Sequence, residues 1–229
     1  MSLYAIADLH LANAVSDKSM DVFGKQWTDH QKKIEENWRE MVTDHDVVLI
    51  PGDISWAMKL EDAIADLNWI HSLPGKKLLI RGNHDFWWGS IGKVRRALPE
   101  SIRAIQNDCY DCGDYVVTGT RGWITADNTG FTKEDEKIYS RELIRMRLGL
   151  DEAKKKNKSI ILMMHFPPYS EKGFENGFIE LIENYGVKRV CYGHLHGKSV
   201  YKGFNGMRNG VEYTLVSSDA IQFKPIFIQ

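Results

Sequence analysis

Histidine, aspartate and asparagine residues follow short apolar runs at five places in the chain. The residues concerned are Asp8, His10, Asp53, Asn83, His84, Asp85, His165, His194 and His196. Imidazole nitrogens suit iron, zinc, copper and nickel, whereas carboxylate and carbonyl oxygens suit harder ions such as manganese. Because one ion takes about four to six ligands, a set of this size indicates two metal ions. Two cations about 3.5–4 Å apart need a bridging carboxylate, and Asp53 is the candidate because it lies between the other ligands in chain order.

A plainer interpretation competes for single members of this set, since Asp and His after strands also serve as helix caps and turn residues. For Asp8 alone, that interpretation is the stronger one. It is much weaker for Gly82-Asn83-His84-Asp85, which chance would produce in roughly one chain per thousand of this length. The Gly193-His194-Leu195-His196 element is also rare by chance, and five of the eight histidines stand at these positions. Together these features favour a metal site.

The apolar runs before these residues are typical of buried strands in a parallel sheet. Such strands are predicted at residues 3–7, 47–50, 78–80, 159–164 and 187–192. Helices are predicted at 28–45, 59–72, 91–98 and 174–185, together with a charged, exposed helix at 132–157. Ligands bind at the carboxyl ends of strands in such folds, so residues distant in sequence can converge there.

The middle and the end of the chain indicate shorter strands joined by turns. These strands are predicted at 102–106, 115–120 and 123–125, and then at 199–201, 211–216 and 225–228, the last three antiparallel. The result is an α/β beginning and a mixed second half, which is consistent with two sheets packed together. No linker, repeat or low-complexity segment divides the chain, so residues 1–229 are predicted to form a single domain.

The ordered blocks Asp8-x-His10, Gly52-Asp53, Gly82-Asn83-His84-Asp85, His165 and Gly193-His194-x-His196 resemble the calcineurin-like metallophosphoesterase family. The resemblance implies an α/β fold, specifically a four-layer α/β/β/α sandwich of two mixed sheets flanked by helices. It also implies hydrolysis of phosphate mono- or diesters at a dinuclear centre of divalent or trivalent ions, for which manganese, iron and zinc are the candidates. In that family pattern, Asp8, His10, Asp53 and His196 would hold one ion, and Asp53, Asn83, His165 and His194 the other.

His84 and Asp85 are the candidate catalytic residues. A metal-held water becomes hydroxide near neutral pH and attacks the ester, and His84 is placed to protonate the leaving alkoxide. Asp85 either orients the His84 ring or makes a local turn or backbone contact. Arg81 and Asn83 are the candidate substrate-binding residues. A guanidinium at Arg81 would hold two phosphate oxygens, although a surface arginine paired with a carboxylate is an equal alternative.

The substrate prediction follows from two observations: where these blocks differ from the protein phosphatase branch of the family, and which aromatic residues lie near them. Asp53 is followed by Ile54-Ser55-Trp56 rather than by the Arg-Gly of the protein phosphatase branch, and Asp85 stands where that branch has Glu, so small-molecule esters are predicted instead. Aromatic residues cluster near the blocks at Trp56, Trp87, Trp88, Trp123, Phe166 and Tyr169, and some of them are expected to belong to the core. Trp87-Trp88 and the segment from Phe166 to Tyr169 would wall a pocket for a stacked base or an aryl ester. The Cys109-x-x-Cys112 pair has no second pair to complete a zinc site.

Composition limits the function classes further. The 229 residues are 43% hydrophobic and 27% charged with a net charge of −1, which excludes a disordered chain and disfavours a dedicated nucleic-acid binder. The sequence has no apolar run long enough for a membrane span, no signal peptide and only three cysteines. These features predict a cytoplasmic protein without a membrane partner. Two alternatives remain open: a nuclease, distinguished by assays on single-stranded DNA, and a non-catalytic scaffold, distinguished by metal content.

Overall fold

The computed structural model describes residues 1–15, 20–170 and 172–229, except for the side chain of Val22. Its strands are β1 (Leu3–Ala5), β2 (Val47–Ile50), β3 (Lys76–Leu79), β4 (Ile102–Ala104), β5 (Cys109–Cys112), β6 (Tyr115–Thr120), β7 (Ser159–Met164), β8 (Arg189–Tyr192), β9 (Gly206–Arg208), β10 (Val211–Leu215) and β11 (Ile226–Phe227). Its α-helices are α1 (His30–Met41), α2 (Leu60–Ser72), α3 (Ile91–Ala97), α4 (Lys133–Lys154) and α5 (Gly177–Asn184). None of the helices in these ranges is long and apolar enough to cross a membrane.

The strands form two mixed sheets. In the first sheet, of order β11-β1-β2-β3-β4, strands β1 to β4 are parallel and β11 is antiparallel at one edge. In the second sheet, of order β5-β6-β7-β8-β10-β9, the four central strands are parallel and the two edge strands are antiparallel. The parallel pairs place the carboxyl ends of β1, β2 and β3 on one edge, and those of β7 and β8 on one edge of the second sheet.

Side-chain alternation explains why both sheets are buried on both faces. On β2, Val47 and Leu49 face the second sheet, whereas Val48 and Ile50 pack under the helices of the first half. On β7, Ile161 and Met163 likewise face the first sheet, and the alternating residues Ile160, Leu162 and Met164 pack under α4 and α5. The layers are therefore helix, sheet, sheet and helix, and the predicted four-layer sandwich is confirmed.

The structure corrects several predicted elements. Residues 123–125 form no strand, residues 199–201 belong to a 3₁₀ turn (Gly197–Lys202), and β10 is parallel to β8 although antiparallel to β9. Helix α4 is not simply exposed, because Glu142, Met146 and Leu150 are buried against the second sheet. The edge strands β5 and β9 were not predicted.

Strand β5 carried a readable signal. Its last residue, Cys112, pairs with Tyr115, so that Gly113 and Asp114 form a two-residue hairpin turn, and Gly113 has a φ of 75°. A Gly-Asp step between two short runs is a hairpin signature. The half-exposed residues of β5 lack the apolar character on which the strand predictions depended.

Candidate metal centre

The predicted ligands converge where the two sheets meet. Asp8, Asp53 and Asn83 follow β1, β2 and β3 of the first sheet, and His10 lies two residues beyond Asp8. His165 follows β7 of the second sheet, and His194 and His196 follow β8. Asp8, Asp53 and His165 are almost completely buried, whereas His194 and His196 are half-buried and border the surface.

One group of ligand atoms consists of Asp8, His10 and His196. The Nε2 atom of His196 lies 3.3 Å from Asp8 Oδ1 and 3.3 Å from His10 Nε2. These ligand atoms all lie within 4.8 Å of one another. A carboxylate oxygen and two imidazole nitrogens at this spacing form a partial coordination sphere for one transition-metal ion.

A second group consists of Asp8, Asp53 and His165, and Asn83 and His194 adjoin it. Asn83 Oδ1 lies 2.6 Å from His165 Nε2 and 3.0 Å from His194 Nδ1. Asp53 Oδ2 lies 3.4 Å from His165 Nε2 and 3.7 Å from His10 Nε2. Asp53 therefore belongs to the second group and also lies close to His10 of the first, whereas Asp8 belongs to both groups.

Unusual backbone conformations aim these side chains inward. Asp8, His10, Asp53 and His194 all have positive φ values, between 45° and 74°, a region that non-glycine residues rarely adopt. Two glycines allow the turns to approach each other. A Cβ atom on Gly82 would lie 2.1 Å from Asp53 Oδ1, and one on Gly193 would lie 2.5 Å from Asp8 Oδ2. The glycines of both sequence blocks are thus required by close packing against the carboxylates.

Burial and neighbouring charges shift the pKa values at the site. Burial, together with Asp85 and Asp8 nearby, raises the pKa of Asp53 well above its usual range. Burial alone would raise the pKa of Asp8 too, but the charge of His196 and a hydrogen bond from it hold that pKa below its usual range. Burial lowers the pKa of His196, but Asp8 and Asp219 outweigh it and raise the value to about 10.

The donor chemistry fits bound cations. His165 Nδ1 lies 3.0 Å from the carbonyl oxygen of Pro51, to which it donates, and burial lowers the pKa of this imidazole. In the neutral ring, Nε2 is then an acceptor, yet it faces two further acceptors, Asn83 Oδ1 and Asp53 Oδ2. Buried acceptor atoms that face one another repel, and a cation bound between them removes this repulsion.

Asp219 is a site residue that sequence reasoning missed. Its Oδ1 lies 3.1 Å from His196 Nδ1, and its Oδ2 accepts a hydrogen bond from the Gly197 backbone N–H at 2.7 Å. This contact leaves Nε2 of His196 directed toward Asp8. Its position shortly after β10 was the available signal, since the other site residues also follow strand ends.

Of the two alternatives predicted for Asp85, the structure shows the local backbone contact and not the orientation of the His84 ring. The fully buried carboxylate accepts from the backbone N–H groups of Ile54, Ser55 and Gly82 at 2.7–3.2 Å, and from Trp87 Nε1 at 3.0 Å. These four donors bind the turn after β3 to the turn after β2. Asp85 therefore positions the backbone and does not touch the His84 ring.

His84 and Arg81 differ in their relation to the centre. His84 is half-buried, its ring centre lies 4.8 Å from that of Trp56, and its backbone N–H donates to Asp53 Oδ1 at 2.8 Å. Arg81 lines a small cleft with Arg121, Arg145 and Glu142. In the described part of the chain, no hydrogen bond or ion pair joins Arg81 to the predicted ligands, and its phosphate-binding role stays a prediction.

The aromatic residues near the blocks separate into three places. Trp87 and Trp88 are 3% exposed and belong to the core under the first sheet, so their predicted role as a pocket wall is wrong. Trp56 stacks on His10 with 4.9 Å between ring centres. Phe166 and Tyr169 line an open cavity beside His194, which is the place predicted for them, and Trp123 lines it too.

Comparisons with known proteins agree with this geometry. A family model described as calcineurin-like phosphoesterase matches residues 1–198. Gene 66 protein of Mycobacterium phage D29 is 38% identical over 131 residues, which cover 57% of this chain and 60% of that protein. The matched part of the chain therefore spans about 60% of the length of this curated relative.

Solved structures with little sequence identity to this chain share its fold. TT1561 of Thermus thermophilus superposes with a TM-score of 0.59 at 13% identity and covers 99% of this chain and 97% of that one. Phosphopantetheinyl hydrolase of Mycobacterium tuberculosis superposes with a TM-score of 0.57 at 14% identity and covers 94% of this chain and 88% of that one. At such identities the likeness shows the fold alone.

Proposed function

Since this chain belongs to the calcineurin-like phosphoesterase family, whose members are metal-dependent phosphoesterases, we propose that it hydrolyses small-molecule phosphate esters with two bound cations. The observation that carries the proposal is the pair of overlapping ligand groups, which share Asp8, while Asp53 of the second group also lies near His10 of the first. Acidic and imidazole ligands in two adjoining groups are the donor set that a two-ion site requires.

The proposed ligand sets follow the family pattern. Asp8, His10, Asp53 and His196 would hold one ion, and Asp53, Asn83, His165 and His194 the other. Manganese, iron and zinc fit these oxygen and nitrogen donors. When bound, the cations neutralise the phosphate and lower the pKa of a coordinated water.

The remaining residues orient the site and move a proton. His84 is proposed to donate a proton to the leaving oxygen, and its ring is held beside Trp56 while its backbone is held by Asp53. Asp219 keeps Nδ1 of His196 occupied, so that Nε2 points toward the ligand group. Asn83, proposed as both ligand and substrate-binding residue, lies between His165 and His194.

The domain and location proposals rest on separate observations. We propose that residues 1–229 form one domain, because β10 joins the second sheet and β11 joins the first. A cytoplasmic location is proposed because Cys109, Cys112 and Cys191 are free thiols, which suits a reducing compartment. The Mycobacterium tuberculosis neighbour is a phosphopantetheinyl hydrolase, and a phosphopantetheinyl ester is one member of the proposed substrate class.

The test is a metal-by-substrate panel on metal-free protein. Manganese, iron or zinc is added, and turnover of 4-nitrophenyl phosphate, bis(4-nitrophenyl) phosphate and single-stranded DNA is measured. We expect metal-dependent turnover of the small esters, and elemental analysis should find two ions per chain. The variant His165→Ala should lose metal, whereas His45→Ala, which removes an exposed imidazole outside the site, should not.

Two results would count against the proposal. Turnover of single-stranded DNA without turnover of the small esters would assign a nuclease instead. Failure of every metal to bind or to restore turnover would remove the metal mechanism.

A further inference from the structure

A cavity of about 730 Å³ opens beside His194, one of the proposed metal ligands. Small-molecule sites commonly have volumes of about 300–1,000 Å³, so the cavity has room for far more than a phosphate group. Its walls come from the segment after β6, the segment after β7 and the 3₁₀ turn after β8, all of which belong to the second half of the molecule.

The wall is aromatic and continuous with the proposed metal centre. Its aromatic members are Trp123, Phe166, Tyr169, Phe174, Tyr201 and Phe204. The ring centre of Phe166 lies 4.1 Å from that of His194 and 4.9 Å from that of Trp123. A group bound against this wall would therefore lie next to a phosphate held at the proposed ligand atoms.

Two side chains of the cavity are available to a ligand. Tyr201 is 80% exposed, so its ring is not needed for the core. The side-chain amide of Asn128 is half-buried and forms no hydrogen bond to another residue in the described ranges. An amide both donates and accepts hydrogen bonds, which suits the ring edge of a heteroaromatic group and not a plain alkyl chain.

We propose that this cavity binds the organic part of the substrate, and that this part is of nucleoside size and carries a planar heteroaromatic ring. The ring stacks on the aromatic wall, Tyr201 covers it, and Asn128 reads its edge. The inference rests on the proposed function, because it assigns the substrate class of the same site.

The experiment compares esters that differ only in the ring-bearing group. Adenosine 5′-(4-nitrophenyl phosphate) and ribose 5-(4-nitrophenyl phosphate) both release nitrophenolate, and adenosine 5′-monophosphate and ribose 5-phosphate share one phosphate monoester. The comparison is made within the pair that the enzyme hydrolyses. There we expect kcat/KM to be at least about tenfold higher for the ester that carries the base. Equal kcat/KM values within the pair would overturn the inference while leaving the proposed function intact.

Variants then locate the preference in the cavity. Tyr201→Ala should lower the preference about tenfold, since a stacking partner is lost, with little change for the ester without a base. Asn128→Ala should lower it as well. Phe227→Ala is the matched control, because Phe227 is a 61% exposed aromatic residue on β11 and lines none of this cavity. A preference that survives both cavity variants would overturn the assignment.

A binding measurement keeps the two proposals separable. Titration calorimetry with the methylene phosphonate analogue of adenosine 5′-monophosphate reports binding even if no ester is hydrolysed. Binding that Tyr201→Ala weakens and Phe227→Ala does not would support the cavity assignment in a protein without the proposed activity. Absence of binding, or tighter binding of an open-chain phosphonate of similar size, would overturn it.

Discussion

The two sheets supply different chemistry to one site. Among the proposed ligands, the first sheet provides both carboxylates, the Asn83 amide and one imidazole, whereas the second sheet provides only imidazoles, one of which contacts the Asp219 carboxylate. Burial and neighbouring carboxylates raise the pKa of Asp53, because they disfavour its ionised form. The ion pair from His196 to Asp8 shows that the second sheet partly offsets this charge. The centre therefore depends on the sheets being docked along the inner core.

The two sides also differ in what they present around the centre. His84, the proposed proton donor, belongs to the first half and has Trp56 beside it. The aromatic cavity beside His194 belongs to the second half and offers a surface for the organic part of an ester. In the proposed function, the first half therefore supplies the carboxylate ligands and the proton donor, and the second half selects the substrate.

The largest effect is expected for Asp53→Asn on the first-sheet side. Both proposed ions lose a charged ligand, so metal content should fall and kcat/KM should drop on the order of 10³-fold or more, since several kcal/mol of charge stabilisation are lost. Elemental analysis and turnover measure the two effects. Asp46→Asn is the control, because Asp46 is a buried carboxylate bound to Thr43 and Ser2 outside the site. Full occupancy by two ions in Asp53→Asn would show that Asp53 does not bridge.

His84→Ala tests whether the first half delivers the proton. Metal content should be retained, and the rate should fall about 10²–10⁴-fold for esters of alkyl alcohols, which need a protonated leaving group. The loss should be much smaller for nitrophenyl esters, because nitrophenolate leaves without a proton. An equal loss for both ester types would assign His84 to substrate positioning. Phe86→Ala, an exposed aromatic neighbour, serves as the control for local disturbance.

Asp85→Asn asks how the first-sheet turns are held. The carboxylate accepts four hydrogen bonds, and an amide nitrogen in place of one oxygen would face a backbone N–H donor. The free energy of unfolding should fall by about 2–3 kcal/mol, measured by denaturant titration with chelator present. Asp62→Asn, at an exposed position on α2, should change it by less than about 0.5 kcal/mol. A stability of Asp85→Asn equal to that of the Asp62 variant would remove the anchoring role.

Much of this contrast was predictable, for a physical reason. The strands β2 and β7 were predicted with their observed bounds, because fully buried parallel strands are continuous apolar runs with polar residues at the end. The bounds of β6 were predicted as well, although it was expected to be a short strand joined by turns. The convergence of Asp8, Asp53 and His165 followed from strand-end logic and the family resemblance. Edge strands such as β5 and the contact of Asp219 with His196 depend on tertiary pairing, and neither leaves an apolar run in the sequence.

Asp219→Ala gives the smallest of these effects and tests the second-sheet side. Removing the carboxylate frees the His196 ring to rotate, so metal affinity should fall about 10–100-fold, the usual effect of losing a residue that orients a ligand. Asp219→Asn keeps an acceptor for Nδ1 and should restore part of the loss. Glu212→Ala is the matched control, because Glu212 lies on β10 and pairs with Arg189 away from the site. If competition with a fluorescent chelator gives wild-type affinity for Asp219→Ala, His196 is held by the site itself. In that case His196 would be positioned by its strand end alone. The contrast between a first sheet whose turns are held by Asp85 and a second sheet whose ligand is oriented by Asp219 would then not hold.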